Sequence, residues 1–226
     1  MGTLLLILLA LYGTLAGTPD AGPAPKAVAP KAESEAAPGA TGASAPARSG
    51  RAFVVGDSLA EGTEAPLAEL LPGWRIRTSA YTGRPTADGV SEITAAGNLP
   101  PVLVVSLGTN DDPSATSTFQ GQVEAVLAAA GPGRCVIWPN IVRPPYNGVS
   151  YTGYNRVLAR IAAANPNLIV VDWVGIVRRD PGLLAPDGVH GTPSGYGTRA
   201  QAIAAAISGC GGVAAYGGTT GSVPGD

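Results

Sequence analysis

The chain holds one histidine, His190, two cysteines and one methionine in 226 residues. So few ligand-type side chains, with no metal-ligand spacing around Cys135 or Cys210, leave no basis for a histidine- or cysteine-built metal centre. We expect no cofactor. Lysine occurs only twice, at Lys26 and Lys31, and beyond residue 50 positive charge rests on arginine alone. The net charge is -2 and no basic patch is visible, which argues against nucleic acid as a partner. Aromatic residues make up only 5%, but 45% of the chain is hydrophobic, mostly Ala, Val, Leu and Ile. That suffices for one core of ordinary size. No internal repeat is evident, and we expect a monomer.

The chain also lacks a long membrane-spanning run. The apolar block Leu4-Leu5-Leu6-Ile7-Leu8-Leu9-Ala10-Leu11, with its flanks, reaches from Thr3 to Ala16. A spanning helix needs about 20 residues. Residues 1–17 are therefore read as a signal peptide or an N-terminal membrane anchor, and the protein as secreted or held at the cell envelope. Residues 18–50 are rich in Ala, Pro, Gly and Ser. They cannot bury enough apolar surface to offset chain entropy, and read as a disordered linker. Residues 51–212 form the folded domain in this reading, and 213–226 a flexible tail.

In that domain strand-like and helix-like stretches alternate. Apolar runs mark strands at Ala52–Gly56, Val102–Leu107, Cys135–Trp138 and Leu168–Trp173. Trp74–Ala80, where Arg75 and Arg77 alternate with apolar residues, reads as a half-exposed edge strand. Helices are expected over Leu59–Leu70, Thr86–Ala96, Ser117–Ala130 and Tyr154–Ala164. Pro66 is a misfit within the first of these, and a kink or restart of the helix is expected there. The last helix opens at Thr192-Pro193, an N-cap followed by a proline at the first helical position, and ends at Gly209. The alternation predicts an α/β fold: a three-layer α/β/α sandwich around a five-stranded parallel sheet. In an exported protein Cys135 and Cys210 would form a disulfide. Buried free thiols are the alternative.

The polar motifs fall where strands end. Gly56-Asp57-Ser58-Leu59 closes the first strand. Tyr81-Thr82-Gly83-Arg84-Pro85 follows the second, Gly108-Thr109-Asn110-Asp111 follows the third, and Asp187-Gly188-Val189-His190 lies between the fifth strand and the last helix. Each alone is what a tight turn looks like. In a parallel sheet, however, the C-terminal strand ends share one rim, where such folds bind ligands. Asp57 is read as a brace for its loop, and Asp111 and Asp112 as carboxylates capping the following segment. Trp138, Asn140, Tyr146 and Tyr151 are candidates either for a pocket wall at the same rim or for packing beneath the Pro144-Pro145 loop.

Taken together, the four motifs resemble the blocks of the SGNH (GDSL-type) hydrolase superfamily over Ala52 to Cys210. The resemblance implies a flavodoxin-like fold, a nucleophilic Ser58 with Asp187 and His190, and an oxyanion hole from Ser58, Gly83 and Asn110. Only the glycine of the second block matches, and Gly191 stands where relatives often carry proline. Chemistry agrees with these roles. A serine hydroxyl needs a base to become a useful nucleophile, His190 is the only histidine available, and Asp187 can fix its tautomer. The expected activity is that of a serine esterase on small acyl esters, O-acetylated carbohydrate among them, through an acyl-enzyme on Ser58. The alternatives are an O-acyltransferase acting on a cell-envelope glycan and a catalytically silent envelope-binding domain.

Overall fold

The computed structural model describes residues 50–210. The expected signal or anchor segment, nearly all of the linker and the C-terminal tail lie outside the described residues. Gly50, placed at the end of the linker by sequence, is the first residue of a strand instead.

Five strands form one parallel sheet: β1 (Gly50–Gly56), β2 (Trp74–Ala80), β3 (Val102–Ser106), β4 (Cys135–Pro139) and β5 (Leu168–Val171). Their order is β2-β1-β3-β4-β5. β2 is an edge, which explains its mixed pattern of arginines and apolar residues, and β3 is central and buried throughout. Helices α1 (Ser58–Leu70), α2 (Thr86–Ala95), α3 (Thr116–Ala130), α4 (Thr152–Ala164), α5 (Trp173–Arg179) and α6 (Pro193–Gly209) complete the described fold.

The alternation of side chains along each strand divides the core in two. Phe53, Val55, Leu103, Val105, Val136 and Trp138 pack with residues of α2, α3 and α4. Ala52, Val54, Val102, Val104 and Ile137 face the other way, toward Ala60 and Leu67 of α1 and Ala200, Ile203 and Ile207 of α6. The result is the expected three-layer α/β/α sandwich. α6 is tied to the sheet by a disulfide between Cys135 and Cys210.

Two expectations need correction. Pro66 lies inside α1, which nevertheless runs unbroken from Ser58 to Leu70. The fifth strand stops at Val171 rather than Trp173. Asp172 caps a new short helix there by accepting the Gly175 N–H at 3.0 Å, and Trp173 is buried as its first residue.

Candidate active site

The order β2-β1-β3 means that the chain leaves β1 and β3, adjacent strands, toward opposite sides. In open α/β sheets this switch point leaves a crevice at the carboxyl ends of the strands. Ser58 begins α1 directly after β1, and Asn110 lies in the loop after β3. Asp57 makes the first turn abrupt. Its backbone is extended, and its Oδ1 caps α1 by accepting the Leu59 N–H at 3.0 Å. The helix consequently starts with Ser58 at the rim. Among the described residues no acceptor engages the Ser58 N–H, as expected for the first N–H of a helix.

Asp187 and His190 arrive from the loop before α6. That loop is drawn tight by bonds from Ala185 N–H to the His190 carbonyl (2.8 Å) and from Gly188 N–H to the Ala185 carbonyl (2.9 Å), with Gly188 at a φ of 68°. Asp187 Oδ1 accepts the N–H groups of Val189 (2.9 Å) and His190 (3.0 Å), and its Oδ2 lies 2.7 Å from His190 Nδ1. His190 Nε2 lies 3.0 Å from Ser58 Oγ. A proton on Nδ1, donated to the carboxylate, leaves Nε2 to accept from the hydroxyl. The imidazole bond and the two backbone donors hold the Asp187 carboxyl down to about 2. Both side chains remain close to half exposed, so the relay is open to solvent on one side.

The structure also brings Asn110 to this rim. It is not the loop asparagine bonded to its own backbone that isolated motifs suggest. Its Nδ2 donates to Asp57 Oδ2 (3.2 Å) and to the Arg84 carbonyl (3.3 Å), and its Oδ1 accepts from Arg143 (3.4 Å). Arg84 follows Gly83 in a turn closed by its N–H on the Tyr81 carbonyl at 3.3 Å. Gly83 has a φ of 79°, and a Cβ there would meet nothing within 4 Å. The left-handed backbone therefore selects glycine here, rather than crowding within the protein. Its N–H, like that of Ser58, has no acceptor among the described residues.

The remaining expectations divide. Asp112 does cap its following segment, through Ser114 N–H at 2.9 Å. Asp111 instead reaches back to the preceding helix α2, where its Oδ1 accepts the Thr86 N–H at 3.0 Å. Of the four candidate wall residues, only Tyr146 lines the cleft, with Ser58, Asn110, Arg143, the two prolines and the Asp187–His190 loop. Trp138 is fully buried and donates to the Leu107 carbonyl, Asn140 is bonded to Asp172 and Val174, and Tyr151 donates to loop carbonyls from the core. Sequence reasoning missed three arginines around the site: Arg143 in the cleft wall, and the buried Arg84 and Arg199. Nothing in their local sequence separates them from surface arginines.

A family model described as the GDSL-like lipase/acylhydrolase family matches residues 54–197. The chain belongs to this family. The family is one of GDSL-like lipases and acylhydrolases, enzymes of acyl esters. The fold is shared with solved structures. The C-terminal catalytic domain of Streptococcus pneumoniae peptidoglycan O-acetyltransferase A, with a methylsulfonyl adduct, is 19% identical at a TM-score of 0.60, covering 72% of this chain and 94% of that one. A lipase/acylhydrolase from Enterococcus faecalis is 23% identical at a TM-score of 0.56, covering 70% and 96%. A GDSL-like lipase from Bacteroides thetaiotaomicron is 18% identical at 0.55, covering 70% and 88%. No curated protein matches the chain.

Proposed function

We propose that the protein is a serine esterase of the cell envelope or its exterior, hydrolysing small acyl esters through a covalent intermediate on Ser58. The observation that carries this reading is the continuous relay from Ser58 Oγ to His190 Nε2 (3.0 Å) and from His190 Nδ1 to Asp187 (2.7 Å) at the sheet rim. Ser58 Oγ attacks the ester carbonyl while Nε2 takes its proton. Asp187, ionised at any working pH, stabilises the imidazolium that results. The carbonyl oxygen, now negative, is met by the N–H groups of Ser58 and Gly83 and by Asn110 Nδ2. Both Nδ2 bonds in the free protein are long, and the one to the Arg84 carbonyl is exchanged for the oxyanion. His190 then gives its proton to the leaving alcohol, and a water activated by the same imidazole releases the acid.

The lining of the cleft supports a substrate class. Among the described residues its wall is arginine, asparagine, tyrosine, proline and valine, with no run of large aliphatic side chains to line a long acyl tunnel. This favours a short acyl group on a polar alcohol, such as an O-acetylated carbohydrate. The disulfide agrees with an oxidising compartment, and the apolar block at the N-terminus with export. The protein acts as a monomer on this reading, without nucleic acid or cofactor. Hydrolysis of a chromogenic acetyl ester by the wild type, abolished in Ser58→Ala, tests the proposal. Product analysis with a glycan acceptor present separates water from a sugar hydroxyl as the acceptor. A folded wild type without turnover would make the domain a binding module.

A further inference from the structure

Asp57 and Arg199 are buried charged residues next to the proposed site, and the mechanism above uses neither. Asp57 is fully buried, and its two oxygens serve different partners: Oδ1 caps α1, and Oδ2 takes the Asn110 amide at 3.2 Å. Arg199 enters from α6 with only 3% of its surface exposed. Its Nη2 donates to Ser106 Oγ at 2.9 Å, and the Ser106 carbonyl accepts the Asp57 N–H at 3.2 Å. The guanidinium carbon lies 5.8 Å from the centre of the Trp173 ring. Arg199 Nε and Nη1 have no hydrogen-bond partner among the described residues. A cation this deep is costly unless a negative charge stands near. Burial is the dominant influence on both groups and leaves the Asp57 carboxyl raised to about 6 and Arg199 lowered to about 10; the Leu59 N–H bond and then Arg199 oppose the rise at Asp57, and Asp57 opposes the fall at Arg199. The other titratable groups facing Asp57 are His190 and Tyr196.

We infer that Arg199 is a positioning residue for the oxyanion donor: it keeps Asp57 ionised, and the Asp57 carboxylate holds one amide hydrogen of Asn110 so that the other, on the Arg84 carbonyl in the free protein, turns to the oxyanion. A carboxylate only accepts, so it fixes the amide with its nitrogen toward Asp57. A protonated Asp57 carries a hydrogen where it would otherwise accept one and loosens that hold, leaving the Arg84 carbonyl and Arg143 to keep the amide in place. The inference rests on the esterase reading and adds to it a charge that controls the oxyanion donor from behind.

Arg199→Gln separates this role from a merely structural one, because it keeps a polar side chain at this depth and removes the charge. With an acetyl ester as substrate, kcat of Arg199→Gln at pH 7 is expected to fall about tenfold or more with KM within about twofold. Its activity should recover toward wild type as the pH rises to about 9, since Asp57 then ionises at a higher pH. Arg199→Lys keeps the charge and should keep the wild-type profile. In an Asp57→Asn background, which has no carboxyl to titrate, Arg199→Gln should add little further loss. Thermal melts report whether each variant is folded. If Arg199→Gln fails to fold, Arg199→Met read in the same two backgrounds carries the same expectations. Profiles parallel to wild type at every pH, or fully additive losses in the double variant, would overturn the inference while leaving the esterase reading intact. Absence of turnover and of Ser58 labelling in the wild type would overturn both.

Discussion

Ser58 Oγ and His190 Nε2 stand 3.0 Å apart although 132 residues of sequence separate them. Neither local segment dictates this approach. It follows from the parallel sheet, which delivers the end of β1 and the loop before α6 to the same rim. On the proposed mechanism Ser58→Ala removes the nucleophile and little else, since Asp57, not Ser58, caps α1. The expected result is a loss of about 10³-fold or more in kcat, with a melting temperature within about 2 °C of wild type. Steady-state kinetics and a thermal melt check the two parts.

Asn110→Ala should act differently. The donor is needed where negative charge develops, so kcat should fall by about 10²–10³-fold, about 3 kcal/mol, with KM nearly unchanged. A loss confined to KM would place Asn110 in ground-state binding instead.

Three of the four motif blocks were legible because each directly follows a strand, and strand ends are marked by abrupt loss of apolar residues; the fourth, Asp187–His190, lies beyond α5 and was legible from its place just before the Thr192-Pro193 helix start. Four strands were legible as apolar runs, and the fifth, Trp74–Ala80, from its alternation of arginines with apolar residues, with the predicted limits. α5 was not. Its seven residues open with Trp173, which extends the apolar run of β5, and only the Asp172 side-chain cap reveals the break. The arginines were illegible for a different reason. Burial of Arg84 depends on Glu92, eight residues on, and on the Ser79 carbonyl, and burial of Arg199 on Ser106 in a distant strand. Tertiary partners decide such positions, and no periodicity announces them.

The Cys135–Cys210 bridge spans 75 residues. In the chain-entropy view its loss destabilises the fold by about 4 kcal/mol. Urea unfolding with and without reductant should show a lower midpoint when reduced. Activity under native conditions should persist, because the bridge lies at the far end of α6 from His190.

Asp187 links stability to acid. Its folded carboxyl is held down to about 2, below its ordinary value of 3.8. The stabilisation from its ionised form is therefore complete above about pH 4 and lost as pH falls toward 2. Urea midpoints of wild type and Asp187→Asn should differ by a constant amount near neutrality and converge across that window. A difference that persists unchanged at pH 2 would mean the carboxyl is not held by His190 and its two backbone donors.

Chain length of the substrate tests the cleft. Without a long aliphatic wall, kcat/KM should be highest for acetyl and fall by about tenfold or more toward octanoyl esters, because the added methylenes find little apolar surface to cover. A preference rising with chain length would point to an acyl channel that opens on binding.

The most direct measurement is covalent labelling with a serine-directed organophosphonate, followed by mass mapping of the modified residue. The proposed relay predicts one adduct per chain, on Ser58, formed in the wild type and about 10³-fold more slowly in His190→Ala. A wild type that remains unlabelled, or an adduct mapped to any other serine, would contradict the account.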